Sequence, residues 1–239
     1  MNTQLTCATR THRGLVRAGN EDSVHAGPSL LALADGMGGH AAGEVASGLM
    51  IAALLPLEHD HEGELLDRLE QAVLRGNNAI AEQAARSTEQ RGMGTTLTAM
   101  LFDGTRYGLA HVGDSRAYVL RGGELSQITH DDTFVQSLVD AGHITAEQAR
   151  THPRRSLILR ALTGEPVTPT LVLGDAEPGD RYLLCSDGLS DVVTEEKIGQ
   201  FLRSAGTVAE CADQLVELAL LNGGPDNVSV IVADIVAGD

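Results

Sequence analysis

The sequence predicts an α+β fold built on largely antiparallel sheets, and three observations carry that expectation. Strand-like runs cluster before and after helical stretches without steady alternation, which argues against a doubly wound parallel sheet. Two strand pairs are joined by hairpin signals, Asp103-Gly104 and Gly122-Gly123, residue types that suit two-residue loops. A long amphipathic stretch, Glu64–Arg86, sets Leu65, Leu66, Leu69, Val73, Ile80 and Ala84 at helical spacing. Such a stripe implies a helix lying on a buried surface.

Taken in order, residues 3–10 alternate loosely and fit an edge strand. A polar loop from Arg13 to Asp22 follows, basic first and acidic after. Ordinary surface pairing, worth about 0–1 kcal/mol, would explain it; the functional alternative is an arginine that binds an anion beside an acid that supports a metal. Val24–Asp35 reads as two strands around a Gly27-Pro28 turn, and His40–Leu55 as a helix with small residues on one face. Thr95–Phe102, Arg106–Val112, Arg116–Arg121 and Glu124–Ile128 read as strands joined by tight turns. Thr129–Gly164 changes character to polar and basic, with short helices expected at Phe134–Ala141 and Thr145–Thr151. The second opens on a Thr145-Ala-Glu-Gln148 capping pattern, and the whole segment reads as an insertion. Strands at Val167–Leu173 and Arg181–Cys185, helices at Glu195–Ser204 and Val208–Leu221, and a strand at Val228–Ile235 complete the chain. With no internal repeat and no linker, one domain over 1–239 is expected, with 129–164 inserted.

Composition narrows the function. At 239 residues, a chain of this length buries roughly 70–75% of its unfolded surface. Aromatics make up only 3% and Trp is absent, so the core must be built from Leu, Val, Ile and Ala. A formal charge of -16 opposes nucleic acid or an anionic membrane as general partner. It suits a carboxylate-rich site neutralised by divalent metal, although plain solubility accounts for most of the 33 acidic residues. Cys7, Cys185 and Cys211 are odd in number and lack CxxC spacing, which reads as reduced thiols in a cytoplasmic protein. No leader-like stretch follows Met1, and no run reaches the roughly 18 apolar residues of a membrane span.

The stretch Leu30–Gly43 organises the rest. An apolar run leads into Asp35-Gly36, and a glycine-rich turn with His40 follows. Alone, Asp-Gly after a strand is a turn. The same device recurs, however: Asp114 after LAHVG, Asp187 after YLLCS with Asp191 four residues on, and Asp226 just before the last strand. Strand ends on one sheet edge would bring these carboxylates together, and unpaired they would repel. Divalent ions remove that repulsion, and oxygen ligands suit Mg or Mn. Two such ions about 3.5–4 Å apart are a known arrangement for phosphoryl hydrolysis, with a bidentate arginine to complete it.

Six stretches in order then resemble one family, the bacterial metal-dependent Ser/Thr protein phosphatases of type 2C (PPM). They are Arg17–Asp22, Asp35–Gly39, Gly94–Thr96, Gly113–Arg116, Cys185–Asp191 and Gly224–Asn227. The resemblance implies a four-layer α-β-β-α sandwich, with two mostly antiparallel sheets between helices. It implies two core Mn or Mg ions, bridged by Asp35, with the Gly36 carbonyl on one and Asp187 and Asp226 on the other. Asp22 would act through metal-bound water. Asp114 and Asp191, with Asp187, match a third, weaker metal site. Arg17 would bind phosphate, and Thr129–Gly164 would be a mobile flap. A metal-bridging hydroxide would hydrolyse phosphoserine or phosphothreonine. Some members carry a histidine acid directly after the Asp-Gly pair. Met37 stands there in this chain, leaving His40 or a metal-bound water for that role.

The resemblance further implies phosphoprotein substrates, an opposing Ser/Thr kinase, and a monomer that binds neither nucleic acid nor membrane. Two other classes stay open at the level of sequence: a phosphoprotein-binding scaffold without turnover, and a hydrolase of small phosphoesters. A missing metal aspartate would favour the scaffold, and every expected aspartate is present.

Overall fold

The computed structural model describes residues 3–38 and 42–238. Its first sheet runs β1 (Thr3–His12), β11 (Val228–Ala237), β10 (Arg181–Cys185), β7 (Arg116–Arg121) and β8 (Glu124–Gln127). Its second runs β2 (Asp22–Ala26), β3 (Leu30–Met37), β5 (Leu97–Phe102), β6 (Arg106–Val112) and β9 (Thr170–Asp175), with β4 (Gly94–Thr95) paired to the end of β3. Every ladder between these strands is antiparallel.

The layers follow from side-chain alternation. Leu30, Ala32 and Ala34 of β3 pack with Met50 and Leu54 of α1 (Ala42–Leu54) and with Leu69, Val73 and Ile80 of α2 (Leu65–Arg86). The intervening Leu31 and Leu33 join Met100, Leu109, Leu184 and Ile231 in a core between the two sheets. Both faces of β3 are therefore buried, which explains why its sequence is a continuous apolar run rather than an alternating one. On the far side, Leu183, Val230 and Val232 pack with α6 (Glu195–Ser204) and α7 (Val208–Leu221). The result is the expected four-layer α-β-β-α sandwich. Three of its six aromatics lie between the sheets, where Tyr182 meets Phe102 and Tyr107 edge-on at 5.5 and 5.6 Å.

Several boundaries differ from the sequence reading. The expected helix His40–Leu55 ends at Leu54 and is seen from Ala42, the first described residue after the gap; His40 lies outside the described residues. The expected strand Thr95–Phe102 breaks at Thr96, because the chain changes partners there. Thr95 exchanges hydrogen bonds with Leu162, while the Thr96 N–H donates to the Asp35 carbonyl at 2.9 Å. The strand expected at Val167–Leu173 lies at Thr170–Asp175, where its register with Arg106–His111 begins and ends. The Thr168 carbonyl is instead taken by the Arg160 guanidinium. Between β8 and β9 lie the short helices α3 (Phe134–Asp140) and α4 (Ala146–Arg150), the latter with the expected Thr145–Gln148 capping box. No described helix is long and apolar enough to cross a membrane.

Candidate metal centre

Antiparallel pairing collects the carboxylates. Asp35 lies near the C-terminal end of β3 and Asp22 at the start of β2, and the two are direct cross-strand partners. Asp114 follows the end of β6. Asp187 follows β10 and opens the short helix α5 (Asp187–Ser190), with Asp191 as its C-cap. Asp226 precedes β11, which pairs with β10. Strand starts and strand ends alternate along antiparallel sheets, so these positions share one edge of the sandwich. Asp35, Asp114, Asp187, Asp191 and Asp226 line a cavity of about 790 Å³, with Gly36 and Arg17. Asp22 does not line it and lies behind Asp35.

Glycine is required where these pieces close on one another. Gly36 is buried, and a Cβ there would run into the Gly43 carbonyl and into the Glu21 carbonyl at 2.6 Å. Gly188 is pressed against the Asn227 carbonyl, so any side chain would push α5 away from the start of β11.

The electrostatics are those of closely set, buried like charges. Burial first, and then Asp22, Asp187, Asp114 and Asp226, push the Asp35 carboxyl well above its ordinary range. Burial followed by Asp114, Asp191, Asp226 and Asp22 does the same to Asp187. Asp22 is pushed up to about 6 by burial, against hydrogen bonds from Ser229 and Ser186. Asp114 is pushed up to about 7 by burial, with Asp131 and Asp191 adding to it. Like charges placed directly across a ladder, as Asp22 and Asp35 are, destabilise it.

Three buried carboxylate oxygens, Oδ1 of Asp22, Asp114 and Asp187, have no hydrogen-bond partner among the described residues. Buried polar atoms are almost always satisfied. An all-oxygen donor set with unsatisfied carboxylate oxygens fits hard divalent cations, and the residues present therefore fit Mn or Mg. No three His, Cys, Asp or Glu side chains among the described residues form a complete cage.

Arg17 stands at the rim, half-exposed, and its Nη2 donates to Asp226 Oδ2 at 2.6 Å. It is thus an exposed cation paired with a carboxylate of the ring. Arg13 is exposed. Arg155 also lines the cavity, 3.6 Å from Asp191. A second cavity of about 420 Å³ lies under α3 and α4 and shares Asp114, Asp187, Asp191 and Arg155 with the first.

Sequence reasoning gave no role to several residues that build the site. Ser186 donates to Asp22 Oδ2 at 3.1 Å. Thr96 Oγ1 accepts from the Asp35 N–H at 3.1 Å and meets Ser115 Oγ at 2.9 Å. Asp131 holds Arg116 in a bidentate pair, Oδ1 accepting from Nε and Oδ2 from Nη2, and Asp132 Oδ2 accepts from the Gly113 N–H at 3.0 Å. Ser186, Thr96 and Ser115 fall within the six matched stretches, which was the available signal; Asp131 and Asp132 had none.

With this geometry in view, the comparison with known proteins is direct. A family model described as Protein phosphatase 2C matches residues 12–218. The chain belongs to the protein phosphatase 2C family. It is 63% identical over 236 residues to the serine/threonine protein phosphatase PstP of Mycobacterium tuberculosis, covering 98% of this chain and 46% of that protein. The chain thus spans about half the length of that relative. It is 36% identical over 242 residues to the serine/threonine phosphatase stp of Listeria monocytogenes, covering 94% of each. A crystal structure of the PstP catalytic domain in complex with two manganese ions has a TM-score of 0.94 at 61% identity, covering 98% of this chain and 100% of that one. In this protein phosphatase 2C chain the position after Asp35-Gly36 is Met37, which lines the cavity. A candidate acid would have to come from elsewhere, and His40 lies outside the described residues.

Proposed function

We propose that this chain is a Mn- or Mg-dependent protein Ser/Thr phosphatase that hydrolyses phosphoserine and phosphothreonine in proteins and opposes a Ser/Thr kinase. The observation that carries the reading is the ring of carboxylates with unsatisfied oxygens, set around a cavity with an arginine at its rim. Asp35, the Gly36 carbonyl, Asp187 and Asp226 would hold two ions, and Asp114 and Asp191, with Asp187, a weaker third. When bound, such ions lower the pKa of a water and neutralise phosphoryl charge.

The chain's own residues do the rest. Arg17 turns from Asp226 toward an incoming phosphoryl group, which it binds through two parallel N–H donors. Ser186 holds Asp22 behind the ring. Thr96 and Thr95 fix the backbone of Asp35, the latter donating to its carbonyl at 2.9 Å, so the carboxylate is preorganised rather than mobile. The segment 129–164 borders both cavities and governs access to them. A cytoplasmic setting belongs to the same proposal, supported by three free cysteines at Cys7, Cys185 and Cys211.

The test is phosphate release from phosphothreonine and phosphoserine peptides in Mn buffer, set beside a small aryl phosphate. The proposal expects a kcat/KM at least tenfold higher for the peptides, an effect of roughly 1.4 kcal/mol. Turnover of the aryl phosphate with none of the peptides would reassign the chain to small phosphoesters.

A further inference from the structure

Asn227 is the residue after a ring carboxylate, and it is 5% exposed. Its side chain makes three hydrogen bonds, all to one loop. Nδ2 donates to the Arg13 carbonyl at 3.0 Å and to the Gly19 carbonyl at 2.8 Å. Oδ1 accepts from the Glu21 N–H at 2.8 Å. A side-chain amide has two donors on nitrogen and an acceptor on oxygen, and here every one is spent on the backbone of residues 13–21. The same loop is pinned once more, by the Leu15 N–H donating to the Gly224 carbonyl at 2.7 Å. Gly14, at φ 77°, lies against the backbone of Asp226, where a side chain would not fit.

Arg17 sits between these anchors, just after the turn at residues 14–16. It is exposed, and among the described residues its one side-chain partner is Asp226. Its place over the carboxylate ring is therefore set by the backbone path from Arg13 to Glu21, and that path is set by Asn227. Asp226 and Asn227 divide the work at the start of β11, one facing the ring and the other clamping the loop that carries the cation.

We infer that Asn227 is a positioning residue that fixes the Arg17 loop and thereby sets affinity for the phosphoryl group, more than the rate of the chemical step. The inference rests on the phosphatase reading. No other small residue supplies the same set: Asp keeps the acceptor but turns an anion toward two carbonyl oxygens, and Ala leaves both carbonyls unpaired. The backbone N–H of Asn227 donates to Asp226 Oδ1 at 2.8 Å and survives substitution of the side chain, so metal affinity is expected to hold.

The experiment compares Asn227→Ala, Asn227→Asp, Arg17→Ala and the Asn227→Ala/Arg17→Ala double variant, all with saturating Mn. Steady-state kinetics on a phosphothreonine peptide are read together with inhibition by inorganic phosphate. Asn227→Ala should raise KM and the phosphate inhibition constant by roughly tenfold while kcat changes by less than about threefold. In the Arg17→Ala background that increase should vanish, as coupled residues require. The Mn midpoint from calorimetry should stay within about twofold of the parent.

A KM effect undiminished without Arg17, or a loss of kcat at unchanged KM, overturns the inference. Should Asn227→Ala fail to fold, Asn227→Asp, which keeps the bond to Glu21, is judged by the same criteria. A parent chain without turnover would sink the phosphatase reading alone. Calorimetric binding of inorganic phosphate to the Mn-loaded chain then decides the matter. Parallel weakening in Asn227→Ala and Arg17→Ala upholds the role, and unchanged binding in Asn227→Ala removes it.

Discussion

Lowering the pH of the chelated chain from about 8 to about 5 titrates carboxylates that the fold holds together without a counter-ion. Asp22 is raised from 3.8 to about 6 and Asp114 from 3.8 to about 7. An acid whose value is higher in the folded chain takes up its proton there first. Between pH about 7 and about 4 these two acids therefore bind more protons in the folded state than in the unfolded one, and their contribution to stability rises as pH falls, against an opposing contribution from buried His111, whose value burial lowers. A shift of about two units corresponds to about 3 kcal/mol. Asp22 and Asp114 share neighbours in the ring, so their contributions do not simply add. Taking about 3 kcal/mol as the scale, the unfolding midpoint should rise by roughly 6–12 °C.

The assay is thermal unfolding followed by circular dichroism, in chelator, across that pH range. Asp114→Asn provides the control. It removes one charge but buries an amide without partners, at a cost of about 1–3 kcal/mol. At pH about 8 the metal-free variant should be more stable than the parent by on the order of 1–2 kcal/mol, with a flatter pH slope. Saturating Mn should flatten the slope of the parent as well. A midpoint that falls on acidification, or an Asp114→Asn variant less stable than the parent with an unaltered slope, would refute the reasoning.

Arg17→Ala should raise KM for a phosphothreonine peptide by roughly 10–100-fold, the worth of a charge-assisted pair; lost kcat at constant KM would contradict a binding role. The same variant frees Asp226 of a competing cation, so calorimetry should show Mn bound no more weakly than in the parent. Asp187→Asn should abolish turnover even in saturating Mn, because Asp187 borders every other carboxylate of the ring; retained activity would remove it from the site. Asn77 is buried and bonds the Glu165 carbonyl and the Gly164 N–H, both at 2.8 Å. Asn77→Ala should cost about 2 kcal/mol or more in urea unfolding, and a change under about 0.5 kcal/mol would show that water replaces those bonds.

Much of the fold was legible because its signals are local. The stripe of α2, the capping box at Thr145, and the hairpin at Gly122-Gly123 each depend on neighbours within a few residues. The carboxylates were legible for another reason: an acid directly after an apolar strand is unusual, and the pattern recurs. What was hidden is long-range. The break at Thr96 exists because Asp35 and Leu162 compete for adjacent backbone groups, and neither is near it in sequence. Ser186 on Asp22, and Asn227 on the loop from Arg13 to Glu21, join residues 164 and more than 200 positions apart. Short polar residues at such places look like turn formers until the fold shows what they hold. The helix Asp187–Ser190 was missed because a single turn carries no periodicity.

The central claim, that this carboxylate ring is a metal centre serving phosphoprotein hydrolysis, is tested most directly by titrating Mn into the chelated chain. Calorimetry and phosphothreonine-peptide hydrolysis are read on the same samples. The account predicts no turnover in chelator, activity that appears as about two equivalents of Mn bind, and its loss when chelator is restored. Turnover that persists in chelator, or full Mn binding with no hydrolysis of any phosphopeptide, would contradict it.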